Sequence, residues 1–99
     1  SGTQKMTKYP EFPLISDTLP GYYASGWFGF VAPKKTPVAA LDLLNKELNE
    51  IIKEPAMRER LIEDGLEPKD IKREVFNKLM ESEFIKYQKI LSTQNIVKE

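Results

Sequence analysis

The 99-residue sequence contains no cysteine and no histidine. Thiol nucleophiles, imidazole bases and the usual zinc ligand sets are therefore missing, and with them most catalytic repertoires. The lack of cysteine does not fix the compartment, because a chain with a sufficient core needs no disulfide. There is no excess charge of either sign. Fifteen Lys and Arg balance fifteen Asp and Glu, which removes the basic footprint of a nucleic-acid binder. Lys5, Lys8, Lys34 and Lys35 face Glu11 and Asp17 in the first 36 residues and the remainder is nearly balanced, so the charge pattern reads as solubility. No apolar run approaches the roughly 18 residues needed to cross a bilayer. No basic start leads into an apolar signal core, and there is neither an internal repeat nor a low-complexity tract.

With 40% hydrophobic and 30% charged residues, at most one domain with a modest core is expected. Residues 1–26 concentrate the chain breakers Gly2, Pro10, Pro13, Pro20, Gly21 and Gly26, predicting extended segments and turns. A short helical turn fits residues 14–18, and Leu19-Pro20-Gly21-Tyr22 has Pro and Gly at the centre of a turn. Residues 22–32 are rich in aromatic and small side chains; Phe28, Phe30 and Ala32 alternate with Trp27, Gly29 and Val31. Both faces are apolar, which predicts a strand covered on both sides. Pro33 cannot continue a central ladder, and Thr36 before Pro37 offers an N-cap followed by proline at the first helical position.

After Pro37 the period changes. Leu41, Leu44, Leu48, Ile51 and Ile52 form one stripe of an amphipathic helix ending near Lys53, because Pro55 disfavours helical geometry at Glu54. Pro55 can open a second, shorter helix lined by Met57, Leu61 and Ile62, which Gly65 would cap. A third helix is predicted from an N-cap at Asp70 to about Ser92, with Ile71, Val75, Leu79, Met80, Phe84, Tyr87 and Leu91 on its apolar stripe.

No residue set shows the nucleophile-plus-base pattern of an enzyme. Glu63-Asp64 and Glu81 with Glu83 lack calcium-loop spacing and read as hydrated carboxylates on helix faces. Lys34-Lys35 precede a helix start whose free N–H groups favour anions, yet every helix has that property and a solvated loop is the simpler reading. Trp27 either stacks on a ligand or lies in a core between helix and sheet, and its doubly apolar strand favours the core. Met57 and Met80 read as packing residues.

The order of these elements resembles the C-terminal part of the solute-binding receptors of tripartite tricarboxylate transporters, over nearly the whole chain. The matching stretches are Tyr9-Pro10-Glu11-Phe12-Pro13-Leu14, Leu19-Pro20-Gly21-Tyr22 and Ser25-Gly26-Trp27-Phe28-Gly29, then Ala32 to Pro37, Leu44 to Leu48 and Pro55 to Leu61. Each is a cap, a turn or an amphipathic piece, and specificity lies in their order and spacing. Two departures stand out. Asp70-Ile71-Lys72-Arg73-Glu74 replaces the family's Gly-Gly-Thr-Pro-Glu-Glu, and Tyr87 stands where relatives usually place Trp.

The resemblance implies an α/β architecture, the C-terminal segment of a two-lobed, type II periplasmic-binding-protein-like fold, with an aromatic crossing strand followed by three amphipathic helices. Residues 1–24 would end the second lobe, and residues 25–99 would supply the crossing strand and helices of the first. It further implies a non-enzymatic, periplasmic receptor, without metal or cofactor, that holds a small carboxylate between its lobes and presents it to membrane transporter subunits. Ser25 and Trp27 would lie near that ligand, and Gly21 and Gly26 would flank the crossing as hinges. The missing signal fits a segment excised from a longer receptor, whose lone strand would leave the isolated chain to self-associate, swap segments or stay partly disordered. The alternative from a different class is a free-standing helical interaction module with the aromatic stretch as a docking arm.

Overall fold

A computed structural model describes residues 1–96. Three α-helices follow a long irregular start: α1 (Val38–Lys53), α2 (Pro55–Glu63) and α3 (Arg73–Thr93), preceded by one short 3-10 turn at Ile15–Asp17. The Asp17 carboxylate accepts the Leu14 N–H at 3.0 Å, closing that turn on itself. At Leu19-Pro20-Gly21-Tyr22 the Tyr22 N–H reaches the Leu19 carbonyl at 3.1 Å with Gly21 at φ 84°. Proline second and a positive-φ glycine third make it a type II turn, where a Cβ at Gly21 would be strained.

The helices end where expected, and α2 begins where expected, but α1 and α3 begin elsewhere. Pro37, not Thr36, occupies the position before α1, and no side chain caps it. The Thr36 N–H instead donates to the Pro33 carbonyl at 3.0 Å, closing a turn that carries the chain past the cap position. Pro55 opens α2 as its first residue. The end of α2 is a Schellman motif: the Leu66 N–H bonds the Leu61 carbonyl at 2.9 Å and the Gly65 N–H bonds Ile62 at 3.0 Å, with Gly65 at φ 80°. Asp70 does not cap α3, which starts at Arg73 after an extended Lys72. Asn45 and Asn49 of α1 each donate to the Ile71 carbonyl, at 3.0 and 3.1 Å, and hold this connection extended. Asp70 is left to pair with Lys53 at 2.8 Å.

The predicted crossing strand is not formed. Residues 24–33 run without regular structure, and the described residues contain no β-ladder. A strand exists only by pairing, and beyond the exchange between Ala24 and Ser1 at its start no described segment lies alongside this ribbon to accept its hydrogen bonds. It is also covered on one side only. Trp27 meets Phe76 of α3 edge to face at 5.2 Å, and a Cβ added at Gly29 would clash with the Cζ end of the Phe76 ring. On the other side Phe28 is 84% and Phe30 80% exposed.

This arrangement has almost no interior. Among the described residues no hydrophobic side chain is buried, and Glu83 is the single buried polar one. The accessible surface is 8662 Å², whereas a folded monomer of this size exposes about 5,800 Å². The radius of gyration is 16.5 Å, against about 13 Å for a compact domain of 100 residues. The apolar stripes are real but lie turned away from one another: Val75, Phe84 and Leu91, expected inside, are exposed on α3, as are Leu44 and Ile51 on α1.

The close approach at Gly29 makes a direct prediction. Gly29→Ala forces the ribbon off Phe76 and lowers the urea unfolding midpoint by an amount equivalent to about 1–3 kcal/mol. Gly26→Ala, with nothing within 4 Å of its added Cβ, changes the midpoint by less than about 0.5 kcal/mol.

Candidate functional site

The ribbon is tied to α3 by a polar clamp beside the Phe76 contact. Lys86 donates to the Tyr23 carbonyl at 2.8 Å and stands 3.4 Å from the Glu83 carboxylate. Its ammonium also lies over the Tyr23 and Tyr87 rings, at 5.0 and 5.3 Å from their centroids. Glu83 and Lys86 sit one turn apart on α3, so both reach the same side of the helix. With Phe76 and Met80 they make the inward stripe of the helix, on which a carboxylate, not a hydrocarbon, is the most buried residue.

Next to this clamp lies an open groove of about 560 Å³ lined by Trp27, Met80, Glu83, Phe84, Tyr87, Gln88 and Leu91. Its walls are mostly apolar, with the Glu83 carboxylate and the Gln88 amide among them. Of the residues singled out from the sequence, Trp27 is on this wall and is 42% exposed, so it is neither a core residue nor a free one. Ser25 is half-buried, and its hydroxyl meets only the neighbouring Gly26 carbonyl, at 3.3 Å. Gly26 has a negative φ and open space around it, while Gly21 holds the type II turn. Lys34 and Lys35 are exposed in the turn before α1. Ser25 and Trp27 are thus neighbours on one ribbon, with Gly21 set apart at its entrance.

Sequence reasoning missed Phe76 and Lys86, and it read Glu83 as a hydrated carboxylate on a helix face, whereas Glu83 is buried beside Lys86 because the helix turns this side toward the ribbon. The usable signal was the spacing Phe76, Met80, Glu83, Tyr87, a helical stripe passing through a carboxylate, next to a ribbon whose Gly29 leaves room for a ring. Elsewhere, polar contacts bind the N-terminal stretch to the end of α2. The Thr7 N–H and hydroxyl donate to Glu67 at 2.6 and 3.0 Å, and Lys8 donates to the Glu63 carbonyl at 2.6 Å. Arg73 grips Asp42 through two nitrogens, at 3.1 and 2.6 Å, joining α3 to α1. Among the described residues no cluster of three metal-ligating side chains forms, and no helix is long and apolar enough to cross a membrane.

The class of segment is an aromatic ribbon running into amphipathic helices, beside a mostly apolar groove. The comparisons give that class its family. The model of the tripartite tricarboxylate transporter family receptor matches residues 1–96. The chain belongs to this family of periplasmic transport receptors. It is 31% identical over 96 residues to a UPF0065 protein of Bordetella bronchiseptica, a match covering 97% of this chain and 29% of that protein. It is 36% identical over 84 residues to a UPF0065 protein from the tcbD-tcbE intergenic region of a Pseudomonas species, covering 83% of this chain and 25% of that protein. Protein BugT of Bordetella pertussis is 31% identical over 67 residues, 67% of this chain and 21% of its own length. No solved structure matches. The chain therefore spans less than a third of the curated relatives it matches.

The polar geometry generates two predictions. Lys86→Met leaves Glu83 buried without its partner and lowers the urea midpoint by about 1–3 kcal/mol, while adding Glu83→Gln to it restores part of the loss in a double-mutant cycle. The exposed Lys53–Asp70 pair has a pH signature. Lys53 holds the Asp70 carboxyl below its ordinary value of 3.8, by hydrogen bond first and charge second. A depressed carboxylate stabilises the fold above its ordinary value, and that contribution disappears as the pH falls through the lowered one. The small midpoint difference between the native chain and Asp70→Asn is accordingly present at neutral pH, shrinks with added salt, and is gone once the pH is well below 3.8.

Proposed function

We propose that this chain is the C-terminal segment of an extracytoplasmic solute receptor that captures a small carboxylate between two lobes and delivers it to a membrane permease. The observation that carries the reading is the family match over residues 1–96. The unpaired ribbon supports it, since an apolar stretch exposed on one side suits a polypeptide that supplies only part of a sheet. In this reading residues 1–24 end the second lobe, and residues 25–99 supply the crossing segment and the helices of the first. The protein acts by binding and closure, without catalysis, in the periplasm of its host.

Ser25 and Trp27 then stand at the inter-lobe cleft, the hydroxyl turning from its long bond to the Gly26 carbonyl to donate to a carboxylate and the indole shielding that bond from water. The type II turn at Gly21 and the uncrowded Gly26 flank the crossing where backbone angles change on closure. A free-standing helical interaction module is the second reading, favoured by the exposure of Phe28, Phe30 and Val31. The extent of the family match weighs against it.

Calorimetric titration with di- and tricarboxylates separates the two. A full-length receptor carrying this segment releases heat with at least one of them, whereas the 99-residue chain alone gives no micromolar binding. Ser25→Ala in the full-length receptor weakens binding by about 1 kcal/mol, roughly fivefold in Kd. Micromolar binding by the short chain, or no carboxylate bound by the full receptor, contradicts the proposal.

A further inference from the structure

We propose that the ribbon's strand partner is the polypeptide leading into Ser1 in the full-length receptor, paired antiparallel in a register already set by Ser1 and Ala24. This rests on the receptor reading and adds to it a specific pairing. The Ser1 ammonium donates to the Ala24 carbonyl at 2.6 Å, and the Ala24 N–H donates back to the Ser1 carbonyl at 3.1 Å. Two residues that exchange both bonds are the hydrogen-bonded pair of an antiparallel ladder. The Ser1 hydroxyl accepts the Ile15 N–H at 3.2 Å, which fixes Ser1 in place.

An antiparallel ladder can be continued in only one way from such a pair. Moving forward from Ala24 on one strand means moving backward from Ser1 on the other. The residue immediately before Ser1 therefore faces Ser25, the second before it faces Gly26, and the third faces Trp27. Opposite residues alternate between bonded and non-bonded pairs, so the backbone groups of Gly26, Phe28 and Phe30 point to this partner as those of Ala24 already do.

The receiving edge is built to be paired. Residues 25–32 exchange no backbone hydrogen bond with another segment among those described. Free edges normally carry Lys, Pro or an inward charge that blocks pairing. From Ala24 to Ala32 there is no charge and no proline, and Pro33 ends the stretch. The relatives supply the occupant, because a match over 97% of this chain takes up only 29% of the Bordetella bronchiseptica protein.

Disulfide mapping in the full-length receptor tests the register. These 99 residues contain no cysteine to interfere, and non-bonded antiparallel pairs place their side chains close together. Cysteine placed immediately before Ser1 together with Ser25→Cys is expected to form an intramolecular disulfide under mild oxidation. Cysteine at the second residue before Ser1 together with Ser25→Cys is the out-of-register control and forms it at least tenfold more slowly. Equal rates in the two registers, no cross-link in either, or a cross-link only between two molecules each overturn the proposal. Carboxylate titration of the full-length receptor without the introduced cysteines keeps the readings apart: an in-register disulfide in the cysteine variant, together with no carboxylate bound by the unsubstituted receptor, sinks the functional reading and leaves the pairing standing.

Discussion

The seat of Phe76 against Gly29 and Trp27 is the contact on which the arrangement depends. It is the point where the aromatic ribbon meets a helix, and it works because position 29 has no Cβ to keep the ring away. One ring stacked edge to face cannot hold an eleven-kilodalton chain together. Its effect is geometric. It lays the ribbon along α3, brings the Tyr23 carbonyl within reach of Lys86, and turns Phe28 and Phe30 outward. The inner side is settled by that contact, and the outer side is left open because of it.

What remains open is large. The surface exceeds that of a folded monomer of this size by about half, and large hydrophobic side chains are exposed on the ribbon and on all three helices. Polar contacts do the long-range tying in place of a core: Asn45 and Asn49 on the Ile71 carbonyl, Arg73 on Asp42, Thr7 on Glu67. Such contacts fix geometry but contribute little net free energy at the surface. Hence the architecture specifies where its parts lie while leaving their apolar faces exposed.

Local chemistry was the legible part of the sequence. Proline at 55, the positive-φ glycine at 65 and the Pro-Gly turn at 20 and 21 each act over a few residues, and their consequences appear where the residues are. The failures share another cause. Thr36 and Asp70 have good capping chemistry, but neighbours already held the backbone: a turn closing on Pro33 in one case, two asparagines gripping Ile71 in the other. The stripe on α3 was misjudged because hydrophobicity was taken to mark the inner face. With no full core to pack against, the helix turned toward the ribbon instead, and the ribbon offered a carbonyl that called for a lysine and its carboxylate. Of the candidate site, the ribbon and Trp27 were readable as a unit; the clamp behind them was not, since it depends on residues about sixty positions away.

The same ribbon weighs the two functional readings. A free-standing module that docks through Phe28, Phe30 and Val31 would need those side chains exposed in its soluble state while keeping other molecules off its open backbone edge. Nothing along residues 24–32 does the latter, for the stretch has neither charge nor proline. A ribbon whose edge is occupied within its own polypeptide needs no such protection. The sequence is therefore more economical as an interior piece of a larger sheet than as a surface arm, and the receptor family supplies proteins long enough to contain that sheet. Membership in the family and the unguarded edge meet in the same residues, since the family match over residues 1–96 includes the ribbon, and on both grounds the receptor reading explains the edge more simply than the docking arm does.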